Sequence, residues 1–207
     1  KSKAFETAKA LRAITDDSTL MMYPRGINTD EVDSFLDNCD LVIDALDFLA
    51  MEARILMLKK ARERKIPVIN ANSTGFGTRL FLFNENSMDI ETFLGVSFAE
   101  AQEFQKKMRS KTAAKQDKAK MMRAMILNFT PSPPLYANEN QVASNVKALR
   151  KRMVEQERGP SVVATNLPFA SGFVANRAVL HLLRNSSVKR NKLRELPLAP
   201  GYIYLDS

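Results

Sequence analysis

The chain has 207 residues, 45% of them hydrophobic, and a formal net charge of +8, which is enough apolar material for one large domain or two small ones and too much for a disordered chain. No run of about 18 apolar residues occurs, so no membrane-spanning helix is predicted. The single cysteine, Cys39, excludes an internal disulfide and a paired-cysteine zinc site, and a reducing, cytoplasmic setting fits.

The chain starts at Lys1 directly in a helical pattern, so the beginning of its domain is expected upstream. Lys3 to Ile14 is predicted helical, with Phe5, Ala8, Leu11 and Ile14 as its apolar stripe. Thr19 to Tyr23 is a short strand candidate stopped by Pro24-Arg25-Gly26. Asn28-Thr29-Asp30 supplies cap chemistry for a short helix whose apolar side is Val32, Phe35 and Leu36. Leu41 to Leu46 is an apolar run with Asp44 inside it and Asp47 just past its end. That pattern predicts a buried parallel strand giving way to a helix. Ligands of open α/β sheets bind beyond the carboxyl ends of such strands, which makes Asp47 a candidate for chemistry; taken alone, it reads more simply as a helix cap.

Ala50 to Lys65 is predicted helical, with Met51, Ile55 and Leu58 inward and Arg54, Lys59, Lys60, Arg62 and Arg64 elsewhere. Ile66 to Asn70 is the next buried strand, which completes a βαβ unit. Gly75-Phe76-Gly77 is a turn, and Thr78 to Phe83 follows so closely that it is predicted to be an antiparallel edge strand. Met88 to Val96 is irregular. From Glu100 to Leu127 the sequence is helical, and between Lys106 and Arg123 it carries eight positive charges, Lys106, Lys107, Arg109, Lys111, Lys115, Lys118, Lys120 and Arg123, against one negative, Asp117. A basic stripe of this kind suits phosphates or an acidic partner, although it lacks interleaved aromatics for base stacking. A solvated helical face explains it equally well.

Pro131 to Pro134 is a rigid loop, and Gln141 to Glu157 a second basic helix ended by Gly159-Pro160. Ser161 to Leu183 is apolar nearly all round and rich in small residues, which predicts a buried, closely packed helix broken by Pro168. His181, the one histidine, reads as a packed or edge residue. Tyr202 to Leu205 is a closing strand. The predicted fold class is α/β, Rossmann-like, with a mixed, mostly parallel sheet, flanking helices and a basic helical insertion. It forms one domain with a βαβ portion at 1–99, the insertion at 100–158, and a buried helix and closing strand at 159–207.

Laid out in this order, the chain resembles the ThiF, MoeB and HesA family, bacterial relatives of ubiquitin-activating enzymes. The resemblance is carried by Asn28 to Asp37 followed by Asp40-Leu41-Val42-Ile43-Asp44-Ala45-Leu46-Asp47, by Ile66-Pro67-Val68 and Gly75-Phe76-Gly77, and by Gly159-Pro160-Ser161 with the helix through Gly172 to Leu183. It implies ATP and magnesium as cofactors and transfer of AMP to a carboxylate, often the C-terminus of a small β-grasp carrier protein, with release of pyrophosphate. It further implies that Lys3 contacts the phosphates and that Asp47 lies beside the phosphates and the metal, while the family's glycine-rich loop, ribose-binding acid and phosphate-contacting arginine fall upstream of Lys3. A fragment without that loop is expected to bind ATP poorly. Where many members have asparagine after the aspartate, this chain has Phe48. No structural zinc is implied, and Cys39 is no counterpart of a thioester cysteine. The expected assembly is a homodimer or heterodimer. Three alternatives stand beside the enzyme: a non-catalytic scaffold subunit, a tRNA-modifying relative using the same adenylation, and, weakest, a dinucleotide-dependent oxidoreductase.

Overall fold

The computed structural model describes residues 2–46, 50–74, 76–129, 166–185 and 195–205. Helix α1 spans Lys3–Arg12 but buries Ala8 alone; Phe5, Leu11 and Ile14 of the expected stripe are exposed. Thr19 to Tyr23, expected as a strand, is irregular. Its Met21 and Met22 face solvent, and among the described residues no strand pairs with it. A capping box between Asn28 and Glu31 opens a short turn, Thr29–Glu31, that runs into α2, Val32–Leu36, with Val32 and Leu36 buried as expected.

Strand β1, Val42–Asp44, leads to helix α3, Met51–Glu63, and then to strand β2, Val68–Thr74. The two strands are parallel, pairing Val42 with Val68 and Asp44 with Asn70, so the βαβ unit is present. Helix α3 ends in a Schellman arrangement: Lys65 takes φ +56°, Ile66 N–H bonds the Ala61 carbonyl and Lys65 N–H that of Arg62. Strand β3, Gly77–Phe83, returns antiparallel to β2. It is not the edge strand expected from its position, because β4, Ile203–Leu205, pairs antiparallel along its other side. The order β1-β2-β3-β4 thus makes a mixed sheet whose parallel pair is β1 and β2.

Met88 to Val96 is less irregular than its composition suggests. Helix α4, Ile90–Leu94, is capped by Asp89 accepting the Thr92 N–H and ended by Gly95 at φ +63°. Ser97 and Glu100 form a capping box for α5, Phe98–Arg109. The predicted basic helix is therefore two: α5 stops at Ser110, Lys111 adopts a left-handed φ, and α6 resumes over Lys115–Phe129. The basic residues lie outward, while Ala101, Phe104, Met121, Met125 and Phe129 enter the main core. Helix α7 spans Asn166–Leu182 without a break, because Pro168 sits in the first turn, where its missing N–H costs nothing. It is not buried all round either. Ala170, Val174 and Ala178 form a single inward stripe, and Leu167, Phe169, Val179 and Leu182 are exposed. Gly172, one of the small residues expected to pack against another backbone, has open space where a Cβ would stand among the described atoms.

The sheet has two differently covered faces. Val42, Val68, Phe81 and Phe83 pack under α3 to α6; Ile69, Leu80, Leu82 and Ile203 pack under α7. The Pro131 loop, the Gln141 to Glu157 helix and the Gly159-Pro160 break lie outside the described residues. Among those described, no helix is long and apolar enough to cross a membrane.

Candidate functional site

Strand β1 ends at Asp44, opposite Asn70 of the parallel β2, which runs on to Thr74, and from this level polar residues replace the apolar ones on one face. On the face under α3, the inward positions run Val42 then Asp44 on β1, and Val68, Asn70 then Asn72 on β2. An acid in such a place needs donors, because burying an unsatisfied charge is prohibitive. Asp44, with its side chain fully buried, has three. Its Oδ2 accepts from Arg54 Nε at 2.8 Å and from Asn70 Nδ2 at 2.7 Å, and its Oδ1 accepts the Leu46 N–H at 3.0 Å.

Arg54 reaches Asp44 from the first turn of α3. Its Nη2 also donates to the Leu46 carbonyl, its Nη1 lies 3.6 Å from Met125 Sδ, and its guanidinium stands 5.7 Å from the centre of the Phe129 ring. The network continues sideways, Asn72 Nδ2 donating to Asn70 Oδ1. Asn72 is the register partner of Arg79 on β3, which is fully buried and lies 4.1 Å over the ring of Tyr204 on β4. A Cβ at Gly77 would come within 2.5 Å of the Tyr204 ring, so a larger residue there would displace that ring from the stack.

The residues singled out from the sequence fare unequally. Lys3 is exposed in the first turn of α1, whose preceding Ser2 donates to the Pro24 carbonyl at 3.3 Å. Asp47 lies outside the described residues. Asp44, the more structural of the two acids in sequence terms, is committed to Arg54, Asn70 and Leu46 and so is no free metal ligand. Among the described residues there is no group of three or more histidine, cysteine or acidic side chains able to hold a metal. Magnesium does not require one, since it takes one or two carboxylates together with phosphate oxygens. Arg54, Asn70, Asn72 and Arg79 escaped the sequence reading. Arg54 in particular was expected to face away from the core and is instead 3% exposed. The available signal was Asp44: a carboxylate inside an apolar strand calls for a cation, and the next helix carries one ten residues on.

Cys39 is half-buried, its Sγ donating to the Phe35 carbonyl at 3.2 Å. Burial, then the charges of Asp40 and Asp37, push its thiol pKa up, which disfavours the thiolate a nucleophile needs. Burial and then Arg184 push the His181 pKa down, as suits a packed histidine. Away from the strand ends, an open polar groove runs between Glu52 at the start of α3 and Gln102, Glu103, Lys106 and Arg109 of α5, with Arg109 3.8 Å from Glu52.

Two comparisons bear on this geometry. The family model described as ThiF family matches residues 1–199. A search of curated proteins returned no match.

Proposed function

We propose, from the premise that this chain belongs to the ThiF family, that it serves the ATP-dependent adenylylation of a carboxylate, with the C-terminus of a ubiquitin-like or sulfur-carrier protein as the substrate. At the level of the family, the chemistry is adenylyltransferase-like and directed to such carriers. The observation that supports this reading is the β1–α3 junction. Strand β1 ends at Asp44 beside Asn70 of the parallel β2, and the chain leaving β1 is tied by Asp44 and Arg54 just ahead of Asp47 in the sequence.

In the proposed step a carboxylate oxygen attacks the α-phosphorus of ATP. The new O–P bond forms the acyl adenylate as the bond to the β-phosphate oxygen breaks, and pyrophosphate leaves with that electron pair. Magnesium bound with ATP supplies charge neutralisation on the triphosphate. Asp47 would be the residue to hold the metal, and Lys3 would offset charge on the transferring phosphate as a point charge. A dimer, of like or unlike subunits, and a cytoplasmic setting belong to the same reading. The tRNA-modifying alternative draws support from the basic face of α5 and α6. That support is reduced by the protein's own acids: Lys107 lies 3.5 Å from Asp117, Lys120 lies 2.5 Å from Glu100 and Arg109 faces Glu52.

The test is ATP–pyrophosphate exchange by the full-length protein in the presence of carboxylate donors. Exchange in the wild type and a loss of about 100-fold in Asp47→Ala support the reading. Unchanged exchange in Asp47→Ala removes that residue from the site, and no exchange with any donor turns the assignment to a scaffold subunit.

A further inference from the structure

We propose that Arg54 is a positioning residue for the nucleotide-dependent step, a clamp that fixes the exit of β1. The inference rests on the adenylation reading and deepens it. One side chain of α3 holds two consecutive parts of the chain leaving the strand: Nε bonds Asp44 Oδ2 at 2.8 Å, and Nη2 bonds the Leu46 carbonyl. Asp44 closes the ring by accepting the Leu46 N–H at 3.0 Å. Asn70, at 2.7 Å from the same carboxylate oxygen, ties the ring to the neighbouring parallel strand. The guanidinium is held in turn, buried against Met125 and Phe129.

Stability alone is a poor account of this arrangement. A buried ion pair loses so much hydration that well-packed apolar replacements are often as stable or more so. What a guanidinium adds is direction, because its donors form a rigid planar fork. Here the fork spans a carboxylate and a backbone carbonyl, and the residue after Leu46 in the sequence is Asp47. Arg54 touches neither phosphate nor metal in this scheme. It acts by setting where the chain leaves β1, and misplacement of a catalytic group by about 1 Å costs on the order of 100-fold in rate. A lysine cannot reproduce the clamp, since one ammonium cannot present two diverging donors in a fixed plane.

The experiment compares the full-length wild type with Arg54→Lys and with the double variant Asp44→Asn/Arg54→Met, which removes both buried charges together. Three quantities are read: ATP–pyrophosphate exchange resolved into kcat and KM for ATP, the thermal midpoint, and amide hydrogen exchange of the peptide covering residues 45–50. In folded variants, kcat falls about 100-fold with KM changed by less than about threefold. The 45–50 peptide exchanges at least about tenfold faster, while peptides from β2 and β3 keep their protection. A lowered midpoint with kcat intact in the folded fraction overturns the proposal, because a merely structural residue behaves that way. Unchanged exchange of the 45–50 peptide overturns the clamp whatever the catalytic assay shows. If the wild type performs no pyrophosphate exchange, the adenylation reading falls and takes the catalytic role of Arg54 with it, whereas the peptide still reports whether the clamp exists.

Discussion

The two faces of the sheet are built on different principles. Under α3 to α6, four aromatic rings meet mostly edge to face: Phe81 with Phe93 and with Phe129 at 5.6 Å, Phe83 with Phe93 at 5.2 Å, and Phe93 with Phe129 at 5.0 Å. The helices over that face are joined to one another by polar ties. Glu91 of α4 accepts from Lys59 of α3 and from the Phe98 N–H that opens α5, each at 2.6 Å. Under α7 the contact is a narrow aliphatic seam, Val174 and Ala178 against Ile69, Leu80 and Leu82, and the outer side of the helix is apolar and exposed. The buried polar network of Asp44, Arg54, Asn70 and Asn72 lies on the first face. A set of buried hydrogen bonds needs a rigid, dry surround to hold its geometry, and the aromatic face supplies one.

Truncating one residue on each face gives the sharpest contrast. Phe81→Ala is expected to cost about 3–5 kcal/mol in urea denaturation. Val174→Ala, which removes two methyl-sized groups from a thin contact, should cost about 1–2 kcal/mol. Equal costs would erase the distinction between the faces. Acid titration probes the ties between helices. The bond from Lys59, and then the Phe98 N–H, hold the Glu91 carboxyl below its ordinary value of 4.5. Its contribution is therefore present above about pH 4.5 and is lost as the pH falls through the depressed folded value. Glu91→Gln should lower stability at neutral pH by about 1 kcal/mol and flatten the acid limb of the stability profile; an unchanged limb would show that Glu91 is no tie. The smallest effect is expected on the outside of α7. Val179→Lys should change stability by no more than about 0.5 kcal/mol, and a larger loss would show that this side of the helix is covered in the intact protein.

Periodicity read the helix α3, the parallel pair β1 and β2, the antiparallel return of β3 and the closing strand β4, because these elements carry apolar runs bounded by Pro, Gly and cap residues. It failed where burial depended on a neighbour. Thr19 to Tyr23 has strand-like composition and, among the described residues, no strand to pair with. The apolar run around Gly172 has a seam to fill on one side only. The basic stretch from Lys106 to Arg123 belongs to two amphipathic helices whose buried positions, Ala101, Phe104, Met121, Met125 and Phe129, lie mostly outside the charged window.

At the site, the sequence by itself determined that an acid stands inside β1, that another follows it, and that a helix begins soon after; these are matters of order along one chain. Tertiary structure decided which basic residue answers the buried acid. Arg54, Lys59, Lys60, Arg62 and Arg64 are chemically similar along α3, and Arg54 alone pairs with Asp44 among the described residues. The selection follows from helix rotation and from the parallel register that brings Asn70 beside Asp44. The buried carboxylate is satisfied by donors from α3, from β2 and from the link two residues on, and no linear pattern encodes the convergence of the first two.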